Sequence, residues 1–283
     1  MSSFTANWLA LREPCDRRAR SAEVLDAVAA LLADRSAPAI VDLACGTGAT
    51  LRALAPRLPA RQNWSLVDND LGLLARAAVQ DVPAGLRLVG RPVDLARDLE
   101  AALDGPVDLV TSSALLDLVS AEWLERLAVE TAARGLPVYV ALTCDGPPQL
   151  QPVDPFDAAI LAAVGVHLRR DHGFGPALGW GAADAACAQF AAVGCRVVSG
   201  PSDWVLGADD SEIQLEILAG WAAVGRAGAL PLADVAAWLT RRRDLVAAGR
   251  SAIRVGHRDV LAVPTTTLVS ERSQSNSTSS PSG

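Results

Sequence analysis

The segment Ile40-Val41-Asp42-Leu43-Ala44-Cys45-Gly46-Thr47-Gly48 constrains this chain more than any other. It joins an apolar, strand-like run to a glycine turn and sets an acid near the strand's end. Without Cβ atoms the glycines can take positive φ and let a ligand lie against bare backbone. A helix expected over Ala49 to Leu58 would aim its positive N-terminal end at the same spot.

Three more strand ends repeat the pattern. Trp64-Ser65-Leu66-Val67-Asp68-Asn69-Asp70 is a second apolar run closing on acids, about where a parallel sheet places a ribose-binding carboxylate. Leu86-Arg87-Leu88-Val89 leads to Arg91-Pro92-Val93-Asp94-Leu95, and Val107-Asp108-Leu109-Val110 leads to Thr111-Ser112-Ser113. Each is followed by a helix-like stretch, so the four ends line one edge of a sheet, the edge where open α/β folds hold ligands. The fold class predicted is α/β and doubly wound.

The loop also selects among nucleotide chemistries. A dinucleotide turn wants a third glycine where Leu51 stands, and a phosphate loop ending in Gly-Lys-Ser/Thr is absent. From Asp42 to Leu51 there is no lysine or arginine for a pyrophosphate, whereas a cationic nucleoside would meet acids.

On these residues the sequence resembles the class I S-adenosylmethionine-dependent methyltransferases, well over Ala39 to Thr143 and more loosely to Pro264. The resemblance implies a Rossmann-like, mostly parallel seven-stranded sheet with an antiparallel last strand and helical lid insertions. It implies that Asp42, Ala44, Cys45, Gly46 and Gly48 wrap the methionine part of S-adenosyl-L-methionine, with Ala44 standing where the family usually has glycine. By the same likeness Asp68 accepts hydrogen bonds from the ribose hydroxyls with Asn69 beside it. Asp94 meets the adenine amino group, the Leu95 N–H meets a ring nitrogen, and Thr111 and Ser112 lie near the transferred methyl. N-terminal helices fold over the substrate in small-molecule members, which makes Arg20 a cofactor candidate and Trp8 and Arg12 acceptor candidates. Plainer roles stand beside these: Asp42 capping a turn, Asp68 solvated, Asp70 capping a helix over Leu71 to Val79, and Asp94 on a charged face with Asp98 and Glu100.

The implied reaction is in-line displacement, in which alignment of two reactants can supply ~7 to 11 kcal/mol of barrier reduction. A proton acceptor helps less, and Asp117, close behind the fourth strand end, is its first candidate. His172 is the second, because an unperturbed imidazole titrates near neutrality. Ser113 and His167 are candidate acceptor contacts. The Asn/Asp-Pro-Pro-aromatic signature of base- and glutamine-modifying relatives is missing after Val110, as is a Pro-Cys nucleophile pair, which leaves a small-molecule acceptor. Two alternatives remain open: other chemistry on the same cofactor, such as aminopropyl transfer or cyclisation, and a non-catalytic cofactor-binding module. A dinucleotide oxidoreductase is a third.

With 283 residues and 51% hydrophobic content, the chain can build one core, taken as a single domain over 1–264. Within it, 1–36 forms N-terminal helices, with Ser21 capping one that runs to Leu32, and 145–181 is a lid after a fifth strand, Val138 to Leu142. Helices follow over Phe156 to Leu168, Ala182 to Val193, Ser211 to Val224 and Leu232 to Ala248. Strands are expected at Cys195 to Val198, Trp204 to Leu206 and Ile253 to Val263, the last containing a structural His257. The serine-rich stretch 265–283 is expected to be disordered.

A net charge of −7 disfavours nucleic acid, and Arg241-Arg242-Arg243 is expected to be a solvated helix end. No apolar run is long enough for a membrane span, and the start lacks a secretory pattern, so the expected location is cytoplasmic, as monomer or homodimer. Five scattered cysteines indicate neither a metal cage nor a disulfide framework.

Overall fold

The chain opens with two helices, α1 (Ala6–Ala19) and α2 (Ala22–Leu32), ahead of the first strand, β1 (Ala39–Leu43). The computed structural model describes residues 4–79, 83–228 and 230–265. After β1 come α3 (Ala49–Leu54), β2 (Gln62–Asp68), α4 (Leu71–Ala78), β3 (Leu86–Pro92), α5 (Leu99–Ala102) and β4 (Leu109–Ser113). Then follow α6 (Ala121–Ala133), β5 (Val138–Cys144), β6 (Gln149–Gln151), α7 (Asp157–Leu168), α8 (Ala182–Ala192), β7 (Cys195–Pro201) and β8 (Trp204–Leu206). Two long helices, α9 (Ser211–Ala227) and α10 (Leu232–Ala247), precede the last strands, β9 (Ala252–Val255) and β10 (His257–Pro264).

Seven strands form the main sheet in the order β3-β2-β1-β4-β5-β10-β7, parallel except for β10, which runs antiparallel to both neighbours. This is the doubly wound arrangement expected from the sequence. Burial explains it: Ile40 and Leu66 face a core built with Val24, Val28, Leu51 and Leu54, while Val41, Leu43 and Val67 face one built with Leu99, Trp123, Leu127 and Phe190. Strands covered by helices on both faces must be apolar throughout, which is why they appear as unbroken hydrophobic runs. Asp70 does cap α4, accepting from the N–H groups of Gly72 and Leu73.

A third core lies outside this sandwich. It joins Cys15 of α1, Leu150 of β6, Ile160 of α7, Trp204 and Leu206 of β8, Trp238 of α10 and Ile253 of β9. Strands β6, β9 and β8 make a small antiparallel sheet within it. The expected lid over 145–181 is thus one part of a cap assembled from three stretches of chain: α1, β6 with α7, and β8 through β9.

Three local expectations need correction. The strand expected from Ile253 to Val263 is two strands in two sheets, parted at Gly256. A Cβ there would meet the Asp145 carboxylate, which would have to swing aside. The helix expected to reach Leu58 ends at Leu54 and tightens into a 3-10 turn, Ala55–Arg57. The Arg241-Arg243 run is not a solvated end: Arg242 is fully buried, paired through Nε and Nη2 with Asp157, and donates to the Pro152 carbonyl at 2.8 Å. Arg241 pairs with Asp154 at 2.6 Å. Cationic side chains one position apart thereby tie α10 to the start of α7. The serine-rich stretch lies outside the described residues from position 266 onward.

Candidate functional site

The C-terminal ends of β1, β2, β4 and β5 share one edge of the sheet, and the glycine loop leaves β1 there. Ala44, Gly46 and Gly48 all take positive φ, at 52°, 54° and 83°. The Cys45 N–H donates to the Val67 carbonyl at 2.9 Å, and the Gly46 N–H donates to Asp68 Oδ2 at 2.8 Å. The other oxygen of Asp68 accepts from the Asp70 N–H at 2.9 Å. Each carboxylate oxygen can accept a second bond, so Asp68 braces the loop and keeps capacity for a ligand.

Asp42 is fully buried. Its Oδ1 accepts from the Thr111 hydroxyl at 2.8 Å, while its Oδ2 has no partner. Burial pushes its pKa up to about 7, opposed by the Thr111 bond and the charge of Arg20. Arg20 is buried too. It donates to the Tyr139 hydroxyl at 3.1 Å and to Ser113 Oγ at 3.3 Å, and its Nε has no partner. Tyr139 donates onward to Asp259 Oδ2 at 2.9 Å, and Asp259 Oδ1 accepts from the Leu142 N–H at 2.9 Å. That last bond fills the gap where the β5–β10 register slips and Leu142 takes φ 52°.

Helix α1 roofs the loop. A Cβ on Gly46 would sit 3.2 Å from Leu9 Cδ1. Arg52 of α3 grips Glu13 of α1 at 2.7 and 2.6 Å and donates to the Thr47 carbonyl at 2.6 Å, which ties roof to loop.

Several candidate residues also have partners within the protein. The Thr111 hydroxyl donates to Asp42, and the Ser112 hydroxyl donates to the Leu43 carbonyl at 3.0 Å. Both stitch β4 to β1. His167 is exposed on α7, lines a surface cleft of about 350 Å³ between α7 and α9, and meets His172 edge-on at 5.8 Å. Asn69 is exposed beside Asp68, and Asp94 is half-buried, accepting from the Ala96 N–H at 3.1 Å. Leu95 buries its side chain in the core, and its carbonyl accepts from the Trp123 indole at 2.7 Å. The Cys45 thiol is pushed up by burial and by the Asp42 and Asp68 charges, which leaves it protonated and unreactive.

A second polar group gathers beyond the ends of β4 and β5. Asp117 lies in the 3-10 turn Leu116–Leu118, with its Oδ1 buried and unpaired. Burial raises its pKa, held back in part by its own backbone N–H and then by the charges of Arg12 and His172. Arg12 pairs with Asp16 at 2.9 and 3.1 Å and lies over the Trp204 ring at 4.9 Å. Trp204 donates to Asp16 at 3.0 Å, meets Trp8 edge-on at 6.5 Å and meets His257 edge-on at 5.6 Å. His172 Nε2 lies 3.2 Å from the Leu168 carbonyl.

Reasoning from the sequence missed Tyr139, Asp259, Asp16, Trp204 and His257. Asp259 left one signal, an acid in the middle of the apolar final strand. Among the described residues no group of three or more His, Cys, Asp or Glu could hold a metal ion. No helix there is long and apolar enough to cross a membrane.

Comparison with known proteins identifies a domain within the chain. Residues 40–137 match a family model described as a methyltransferase domain. A curated relative, the biotin biosynthesis bifunctional protein BioCD of Bordetella avium, is 38% identical over 94 residues, which are 33% of this chain and 19% of that protein. The chain therefore spans about a fifth of that relative's length. A cyclopropane-fatty-acyl-phospholipid synthase-like protein from Lactobacillus casei has the same fold at 16% identity, with a TM-score of 0.50 over 92% of this chain and 94% of that one. A methyltransferase from Thiobacillus denitrificans, solved with S-adenosyl-L-homocysteine, matches at 15% identity and TM-score 0.43 over 92% and 99%.

Proposed function

From a chain that carries a class I S-adenosylmethionine-dependent methyltransferase domain over residues 40–137, we propose a methyltransferase that acts on a small-molecule acceptor by in-line transfer. When bound, S-adenosylmethionine supplies a methyl group on a sulfonium, open to displacement by a nucleophile. One observation carries the reading: a buried acid and a buried base, Asp42 and Arg20, each keep an unpaired polar atom at the edge where the glycine loop turns. Buried polar atoms are rarely left unpaired without a functional reason, and a donor beside an acceptor suits the amino-acid end of the cofactor.

The roles follow from position. Gly46 and Gly48 admit the ligand to the backbone, and Arg20 and Asp42 hold its charged end. Asp68, already fixed by two N–H groups, offers its remaining lone pairs to the ribose. With Thr111 and Ser112 bonded inward, the methyl group faces Ser113 and Asp117. Asp117 and His172 are the proton acceptors, and the roof of α1 excludes water. A cap that buries Asp117 and Arg12 favours a small acceptor over a macromolecule.

Calorimetry with S-adenosylmethionine and S-adenosylhomocysteine tests the cofactor half: binding is expected, weakened at least tenfold in Asp68→Ala. Absence of heat with both compounds would refute it. Incubation with methyl-labelled cofactor and a metabolite extract tests the other half, since label must appear on a small molecule.

A further inference from the structure

Asp259 is fully buried in the final strand, and its two oxygens serve different partners. Oδ1 accepts from the Leu142 N–H at 2.9 Å, and that one acceptor suffices where the register slips. Oδ2 accepts twice more, from the Tyr139 hydroxyl at 2.9 Å and from the Ser21 N–H at 3.1 Å. Both of those bonds lead to Arg20. The Ser21 N–H belongs to the peptide unit that joins the two residues, and the Tyr139 oxygen accepts from Arg20 Nη1 at 3.1 Å. A guanidinium can only donate, so the single Tyr139 proton points at Asp259 and its lone pair at Arg20. One carboxylate oxygen therefore holds this arginine at its backbone and at its head.

The strand register places that head over the ligand edge. Asp42, Thr111 and Tyr139 stand abreast on β1, β4 and β5, so their side chains emerge on one face of the sheet. Ser113, two residues beyond Thr111, lies on that face as well and accepts from Arg20 Nη2 at 3.3 Å. At the other end of the row, Gly200 of β7 pairs with Asp259, and a Cβ there would press on Ser21 Oγ and Cβ. The missing side chain lets the turn between α1 and α2 settle on the strands. With Nη1 and Nη2 both held, the plane of the guanidinium is set, while its Nε is buried and has no partner.

We propose that Asp259 is a positioning residue for the cofactor: through Tyr139 it holds Arg20 with the Nε–H presented to the carboxylate of the methionine end. The assignment rests on the methyltransferase reading above. That carboxylate is the one anionic group of S-adenosylmethionine, and a charge-assisted hydrogen bond to it is about twice as strong as a neutral one. An arginine free to change rotamer would lose part of the gain to ordering. Asp259 orders it in the fold, before the ligand arrives.

Two ligands that differ in that group alone test the assignment on the full chain: S-adenosylhomocysteine and S-adenosyl-3-thiopropylamine, which lacks the carboxylate and keeps the amine. Calorimetry reads the first, and displacement of the first reads the second. The unaltered chain is expected to favour S-adenosylhomocysteine about tenfold or more, the worth of a hydrogen bond to a charged group. Tyr139→Phe leaves Asp259 its two N–H partners and cuts only the link to Arg20. It is expected to lower that ratio about fivefold while the affinity for the carboxylate-free ligand is unchanged. Asp259→Asn is expected to do the same, and the double variant to lose no more than either alone. A merely structural role would weaken both ligands together. Such a parallel loss overturns the proposal, as does an unchanged ratio in Tyr139→Phe or an additive loss in the double variant. Tyr139→Phe, a single deleted hydroxyl, decides where Asp259→Asn does not fold. Equal binding of the two ligands by the unaltered chain overturns the proposal as well and leaves the cofactor reading intact. A chain that binds neither ligand fails the cofactor reading first, and the positioning of Arg20 with it.

Discussion

Asparagine in place of Asp42 separates the cost of the buried acid from everything around it. Asp42 has a folded pKa of about 7 against an ordinary 3.8, burial being the largest cause. The native state therefore holds this proton more tightly than the unfolded chain does. Its contribution to stability is full below 3.8, falls as pH rises, and reaches its minimum once pH passes 7. Between pH 5 and 8 the linkage relation gives a loss of about 2 to 3 kcal/mol.

Asparagine does not titrate there. It places an amide nitrogen where Oδ2 has no partner, at a cost of about 1 to 3 kcal/mol that is independent of pH. Its carbonyl can still accept from Thr111. The quantity to follow is thus the change with pH of the stability of Asp42→Asn minus that of the unaltered chain, in which the fixed cost is a constant offset and the titration of groups independent of Asp42 cancels. Urea unfolding without ligand at pH 5, 6.5 and 8 should show this difference rising by about 2 to 3 kcal/mol in favour of the variant. A difference that stays flat to within about 0.5 kcal/mol would mean that Asp42 ionises normally in the fold, and the argument for a strained charge at the loop would fail.

Other expectations concern the loop, its roof and the cap. Gly46→Ala, at φ 54° with Leu9 3.2 Å from the new Cβ, should cost about 1 to 2 kcal/mol in thermal unfolding and weaken S-adenosylhomocysteine binding in calorimetry. Glu13→Gln removes the grip of Arg52 on α1, so stopped-flow measurement should show S-adenosylhomocysteine leaving several-fold faster, with little change in melting temperature. Arg242→Met strands the buried Asp157 carboxylate and should cost about 3 to 5 kcal/mol, read by chemical denaturation.

The sheet was legible because its strands are buried on both faces and alternate with helices; that pattern survives in the sequence without any contact being known. The glycine loop was legible for a similar reason, since Gly46 and Gly48 mark positive φ directly. The cap was not. Its core joins residues as distant as Cys15, Ile160, Trp204 and Trp238, and no local periodicity announces such a meeting. Arg242 misled because a run of arginines normally lies in water, and only the burial of Asp157 on a separate helix reverses that. Thr111 and Ser112 were legible in their place at the end of β4, but a hydroxyl's direction depends on the neighbouring strand, and both bond to β1.

Backbone strain was the least legible property and adds a separate argument for the edge. Among the described residues, the non-glycine positions with positive φ are Ala44, Ala114 and Leu142, at 52°, 51° and 52°. They lie just after β1, just after β4 and two residues before the end of β5, so all three fall at the C-terminal side of adjacent strands. Left-handed backbone costs a side-chain-bearing residue about 1 to 2 kcal/mol, and nothing in alanine or leucine reveals that it will be imposed. The same edge holds the unpaired atoms of Asp42, Arg20 and Asp117. Strain and unmet polar groups arise from different causes, so their coincidence on one side of the sheet is better explained by a demand from outside the fold than by packing. A ligand that satisfies those atoms offsets both costs at once.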